Sequence, residues 1–206
     1  MIGYYNYTVI LTYIGTLFGF AGITYIWNGN LKMALFCLMC AGLCDMFDGR
    51  IASTMKRTKP EKRFSVQIDS LSDLVCFGIL PALIVLQCSG RKVLTVFVSA
   101  AYVLCALIRL AWFNVDEEQR QDLEEKSREA YLGLPVTMSA LLIPFLISIA
   151  QLLKLPLDMV CPWVLLLIAI AFVWPFHLRK PNTPGIIILT LCGMTTLVLV
   201  LIGVKV

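Results

Sequence analysis

The stretch LKMALFCLMCAGLCDMFDGRIA, from Leu31 to Ala52, is apolar for its first fourteen residues apart from Lys32, and then carries two aspartates, Asp45 and Asp48, within one helical turn. An apolar run of this length reads as a helix that crosses a bilayer, for which ~20 residues suffice. Carboxylates inside such a run are costly, at ~2.5–3.5 kcal/mol near the bilayer centre, and persist where they face a bundle interior or water and serve a function. Working outward from it, six further apolar runs occupy about Thr8–Tyr25, Val66–Leu86, Val93–Val115, Leu134–Leu153, Val160–Leu178 and Gly185–Val204. All seven are expected as helices, because lipid offers no partner to backbone polar groups and no period-two alternation marks barrel strands.

The composition agrees. Of 206 residues, 59% are hydrophobic and 15% charged, with a mean hydropathy of +0.85. A small domain leaves much of its surface in water, so this balance excludes a water-soluble globule. The expected fold is all-α: a polytopic integral membrane bundle of about seven transmembrane helices, forming one domain over residues 1–206. The N-terminal run has no basic n-region or small-residue cleavage site, so it is expected to remain as a span. Six of the eight cysteines (Cys37, Cys40, Cys44, Cys76, Cys105 and Cys192) lie in apolar runs and read as small buried hydrophobes; the single histidine, His177, is far from Cys37 and Cys40, which argues against zinc. The net charge of +4 comes with no basic arm or nucleic-acid motif. With the segment between the second and third helices in the cytoplasm, ten basic residues (Lys56, Arg57, Lys59, Lys62, Arg63, Arg120, Lys126, Arg128, Arg179 and Lys180) collect on that side. Five (Lys32, Arg91, Lys92, Lys154 and Lys205) fall outside. That bias places the N-terminus in the cytoplasm and, with seven crossings, the C-terminus outside.

Four of only thirteen acids stand in or beside two consecutive helices: Asp45 and Asp48, then Asp69 and Asp73. Spacings of i,i+3 and i,i+4 put each pair on one helix face. A short basic linker lets the two helices pack as antiparallel neighbours, with all four acids toward the cytoplasmic end. Carboxylates so close require neutralising cations, and an oxygen-only donor set points to hard divalent ions, Mg²⁺ or Mn²⁺, and to a pair of them. Gly49 leaves space for a ligand to approach the backbone, and Ser53 and Ser65 are small and polar at the same level. The basic cluster from Lys56 to Arg63 reads either as part of a phosphate or pyrophosphate clamp or as a solvated, orientation-setting loop beside anionic headgroups. The acids read alternatively as salt-bridged structural residues, although Arg50 is the only basic residue late in those two helices.

The words Asp45-x-x-Asp48-Gly49-x-x-Ala52 and Asp69-x-x-x-Asp73 resemble the signature of the CDP-alcohol phosphotransferase family, D-x-x-D-G-x-x-A-R followed by G-x-x-x-D-x-x-x-D. CDMFDGRIA, IDSLSDLVCFGILPA, Arg109-Leu-Ala-Trp-Phe-Asn114 and Tyr131-Leu-Gly-Leu-Pro135 look like its phosphatidylserine synthase branch. The resemblance implies a six-helix catalytic core over residues 1–180, with an extra helix over 181–206. It implies a donor, CDP-diacylglycerol, whose pyrophosphate meets two metals held by Asp45, Asp48, Asp69 and Asp73. Asp73 would be the general base that takes the proton of the L-serine hydroxyl, yielding phosphatidylserine and CMP. Asp48, Gly49, Ala52 and the positions of Ser53 and Ser65 would hold the CDP part. Ser53 stands where the signature has arginine, and Ser65 where it has its second glycine, so a guanidinium contact to phosphate is missing; Lys56 or Arg57 is placed to supply that charge. The resemblance also implies a homodimer in the cell (inner) membrane, with the site facing the cytoplasm.

Arg109 is a candidate for the serine carboxylate or donor phosphate, with snorkelling or pairing with Asp116 as the alternative. Asn114 reads either as a substrate contact or as a helix-end cap. The mixed charges from Asp116 to Glu129 suggest a solvated loop or surface helix. Gly15 and Gly19, with Gly22 on nearly the same face, permit close helix packing, either within one chain or between two. Two alternatives stand beside serine transfer. One is the same chemistry with glycerol 3-phosphate or an inositol phosphate as acceptor. The other is a divalent cation carrier, against which the clustering of the acids at one end of two helices argues.

Overall fold

In the computed structural model, residues 3–52, 54–122, 130–179 and 183–203 are described. Ser53, Lys126, Arg128, Lys180 and Lys205 lie outside them, as does the side chain of Arg50. The described residues form seven helices: α1 (Tyr7–Trp27), α2 (Leu31–Ala52), α3 (Lys59–Cys88), α4 (Val93–Asp122), α5 (Ser139–Leu152), α6 (Leu157–Val173) and α7 (Thr183–Gly203). α1, α3 and α4 are long and apolar enough to cross a membrane, while α5, α6 and the Ile188–Gly203 part of α7 are apolar but shorter. Leu17, Phe20, Phe97, Leu167 and Ile202 are exposed around the bundle, as expected of a helical protein whose solvent is lipid. The core is built from Leu35 and Leu38 of α2, Phe77, Leu80 and Ile84 of α3, Tyr102 of α4, Ile143 of α5, Leu165 and Phe172 of α6, and Val200 of α7.

α1 and α2 are joined by the turn Asn28-Gly29-Asn30. Gly29 adopts φ +77° there, and the Asn30 side chain accepts from the Met33 amide at 3.0 Å to start α2. The tight hairpin lays α1 along α2. At Gly15 an added Cβ would stand 3.3 Å from Cys44 Cβ, at Gly19 2.5 Å from Cys76 Sγ, and at Gly22 2.6 Å from Leu80 Cδ2. The glycine stripe therefore serves packing within one chain, against α2 and α3.

α3 begins seven residues earlier than the apolar run. Thr58 caps it: its hydroxyl accepts from the Glu61 amide at 3.4 Å, while the Glu61 carboxylate accepts from the Thr58 amide at 2.8 Å, and Pro60 sits in the first turn. This capping box makes Lys59–Arg63 helical, where a loop was expected. α4 likewise continues beyond Val115 to Asp122, held by the Arg63–Glu118 ion pair at 3.4 Å and by Arg120 on Glu117. Asn114 is thus inside a helix and does not cap an end.

Two more boundaries differ from the apolar runs, each at a proline. Pro135 delays the fifth helix, which opens through a tight turn at Val136–Met138. α6 stops at Val173, not at Leu178, because Trp174 precedes Pro175 and takes extended backbone (ψ 126°). The chain then runs as the strand β2 (His177–Arg179), antiparallel to β1 (Ala130–Leu132), a pairing that hydropathy does not signal. Gly133, at φ +75°, closes the connection: its amide donates to Phe176 O at 2.7 Å, and a Cβ there would meet Phe172 O at 3.0 Å.

Opposite the acid-bearing helix ends, Lys92 pairs with Asp158 at 2.7 Å and Lys32 donates to Leu201 O near the end of α7 at 2.5 Å. The latter sets a cation on the negative end of that helix.

Candidate metal centre

Asp45 and Asp48 on α2 face Asp69 and Asp73 on α3. One carboxylate oxygen from each of Asp45, Asp48 and Asp69 falls within 4.8 Å of the others. The carboxyl groups of Asp45 and Asp73, and those of Asp48 and Asp69, come within hydrogen-bond reach across the two helices. Two carboxylates at that distance need a proton or a cation between them. Among the described residues, none of the four has a lysine or arginine partner. An array of hard oxygen donors, half-buried and with no counter-charge among the described side chains, which do not include that of Arg50, fits divalent cations.

α1 forms the third wall, which the spacing of the acids does not reveal. Thr12 donates to Asp48 Oδ2 at 3.2 Å, Thr16 and Ser72 share a hydrogen bond of 2.7 Å, and Cys76 Sγ donates to Gly15 O at 3.4 Å. Thr12, Gly15, Ser72 and Cys76, with Leu11, Ala41, Cys44 and Phe77, line a cleft that contains all four aspartates. The signal for this wall is Thr12 and Thr16, an i,i+4 hydroxyl pair that continues the spacing from Thr8 along one face of α1. Its meaning depends on which helix lies opposite.

The remaining candidates are spread around the cleft. Gly49 is exposed, and nothing would lie within 4 Å of an added Cβ, so the backbone beside Asp48 is open to a ligand. Ala52 turns inward at 9% exposure. Ser65 is half-buried one turn before Asp69. Lys56 is exposed, whereas Arg57 is half-buried, with Nε buried and lacking an acceptor. Arg109 is 7% exposed and its Nε donates to Leu134 O at 3.3 Å; it is not among the residues lining the cleft. Asn114 accepts from Ser70 at 2.5 Å and donates to Gln67 at 3.3 Å, tying α4 to the segment of α3 that carries Asp69.

Residues 5–175 match the family described as CDP-alcohol phosphatidyltransferase. The chain is 28% identical over 141 residues to the CDP-diacylglycerol–serine O-phosphatidyltransferase of Helicobacter pylori (strain J99), covering 68% of this chain and 56% of that protein. It is 35% identical over 104 residues to the Saccharomyces cerevisiae protein of the same name, covering 50% and 37%. To the archaetidylserine synthase of Methanothermobacter thermautotrophicus it is 27% identical over 135 residues, covering 65% and 54%. The chain spans about half the length of the curated relatives it matches.

Proposed function

The chain belongs to the CDP-alcohol phosphatidyltransferase family, and from that premise we propose that it transfers the phosphatidyl group of CDP-diacylglycerol to L-serine, releasing CMP. The observation that carries this reading is the convergence of four carboxylates in one cleft, with no lysine or arginine partner among the described residues, beside an open backbone at Gly49. Asp45, Asp48, Asp69 and Asp73 would hold two divalent cations, Mg²⁺ or Mn²⁺. When bound, these neutralise the donor pyrophosphate and stabilise the departing CMP. Asp73 accepts the proton of the serine hydroxyl while that oxygen attacks the phosphorus bearing diacylglycerol; the bond from this phosphorus to the CMP oxygen breaks. Thr12 holds Asp48 in place by its 3.2 Å hydrogen bond. Gly49, Ala52, Ser53 and Ser65 border the CDP part. Lys56 and Arg57 supply phosphate contacts, and the unpaired Arg57 Nε supports that role. Arg109 and Asn114 are assigned to the acceptor side, by shaping the chain at Leu134 and Ser70.

Serine is preferred as acceptor because the named relatives are serine transferases or an archaetidylserine synthase. A cation carrier is disfavoured: Asp158, the acid at the far end, is already paired with Lys92. We assign residues 1–180 to the catalytic core and 181–206 to an added helix. The seven helices cross the cell inner membrane, the cleft faces the cytoplasm, and two copies form a homodimer. Release of labelled CMP from CDP-diacylglycerol in the presence of Mn²⁺, with and without L-serine, tests the assignment. Serine-dependent release that is lost in Asp73→Asn supports it; release that ignores both serine and the substitution overturns it.

A further inference from the structure

α3 does not run as one regular helix. Between Leu74 and Ile79, starting one residue past Asp73, it widens into a π turn, and the Leu80 amide bonds back to Val75 O, five residues earlier. The cause lies one turn further on. In a regular helix the Phe77 carbonyl would accept from residue 81, but that residue is Pro81, which has no N–H. An orphaned carbonyl in a core this well buried demands another donor. Two are present: Tyr102 of α4 donates to Phe77 O at 2.7 Å, and Ser139, the first residue of α5, donates to the same oxygen at 3.3 Å. Both hydroxyl residues and Phe77 are 0–1% exposed, and the Tyr102 ring packs on Phe172 with centroids 5.3 Å apart.

The π turn takes in one residue more than an α turn, so the half of α3 before it is rotated by about 100° against the half after it. The later half is fixed in the core by Leu80, Ile84 and Val85. The earlier half carries Asp69 and Asp73. Straightened into a regular helix with the same core anchors, α3 would swing these two acids more than a quarter turn away from α1 and α2.

We propose that Tyr102 and Ser139 are positioning residues for the metal centre: their hydroxyls satisfy the carbonyl that Pro81 orphans and so hold the π turn that aims Asp69 and Asp73 at Asp45 and Asp48. The inference rests on the reading of the four acids as a metal centre. Mn²⁺ titrated into the purified full chain in detergent, with free Mn²⁺ followed by electron paramagnetic resonance and no substrate present, separates the two. The wild type is expected to bind Mn²⁺. Tyr102→Phe combined with Ser139→Ala is expected to weaken binding about tenfold or more, as loss of outer-shell support does at other metal sites. Faster amide exchange at residues 74–80 should accompany it, while Ser139→Thr, which keeps the hydroxyl, stays near wild type. Should the double variant not fold, Tyr102→Phe alone decides, with an expected loss of about three- to tenfold, the equivalent of one hydrogen bond. Wild-type affinity in a folded double variant, or in Tyr102→Phe, overturns the positioning role and leaves the metal centre standing. Absence of Mn²⁺ binding in the wild type overturns both.

Discussion

At the scale of single residues, the four aspartates are legible in the sequence because their cost is: an acid in an apolar run needs a reason, and i,i+3 and i,i+4 spacings are facts of helix geometry. Thr12 is not legible, since one hydroxyl in an apolar helix bonds as readily to its own backbone as to Asp48, 36 residues away. Asp73→Asn, which removes the proposed base, should lower the CMP release rate about 10²–10⁴-fold. Mn²⁺ should still bind through Asp45, Asp48 and Asp69, and equilibrium dialysis against Mn²⁺ checks that separately from the rate. Replacing Lys56 and Arg57 together by alanine should raise the KM for CDP-diacylglycerol about tenfold, the loss expected for a charge-assisted hydrogen bond to phosphate, with kcat little changed. An unchanged KM would withdraw both residues from the donor site.

At the scale of elements, glycines of one chain do opposite things. Gly19 faces Cys76 Sγ, which an added Cβ would approach to 2.5 Å, so Gly19→Val forces α1 off α3. Overpacking of this kind costs about 1–3 kcal/mol; the expected result is a lower unfolding temperature in detergent, together with weaker Mn²⁺ binding as Thr12 withdraws from Asp48. Gly49 meets nothing within 4 Å. Gly49→Ala should therefore leave thermal unfolding nearly unchanged, within about 0.5 kcal/mol, while raising the KM for the donor. Equal effects of the two substitutions on stability would contradict the packing described for α1. Helix ends were the least legible elements: the capping box at Thr58 and Glu61, the late start after Pro135 and the stop before Pro175 are local signals that override the lengths of the apolar runs.

At the scale of the whole molecule, the proposed metal centre would make folding stability depend on the ions it binds. Chelation of divalent ions should stop CMP release and lower the unfolding temperature. Mn²⁺ at about a hundred times its dissociation constant should stabilise the folded chain by about 2.7 kcal/mol, since only the folded state gathers the four carboxylates. A melting temperature indifferent to Mn²⁺ and chelator would count against the centre. Orientation is tested at the same scale: with a membrane-impermeant thiol reagent on intact cells, Lys154→Cys should label from outside and Lys59→Cys only after the membrane is opened.

The sequence by itself determined that this chain lives in lipid as a helical bundle, and that two consecutive helices carry paired acids at one end. Both follow from local quantities, apolar run length and helical spacing, which no distant residue can change. Tertiary structure alone decided that α1 completes the cleft, that the glycine stripe is spent within the chain, and that α3 is wound into a π turn beside its aspartates. Those outcomes depend on contacts between residues 25 to 62 positions apart, such as Phe77 with Tyr102 and Ser139, where packing selects among alternatives that local propensity leaves equal in energy.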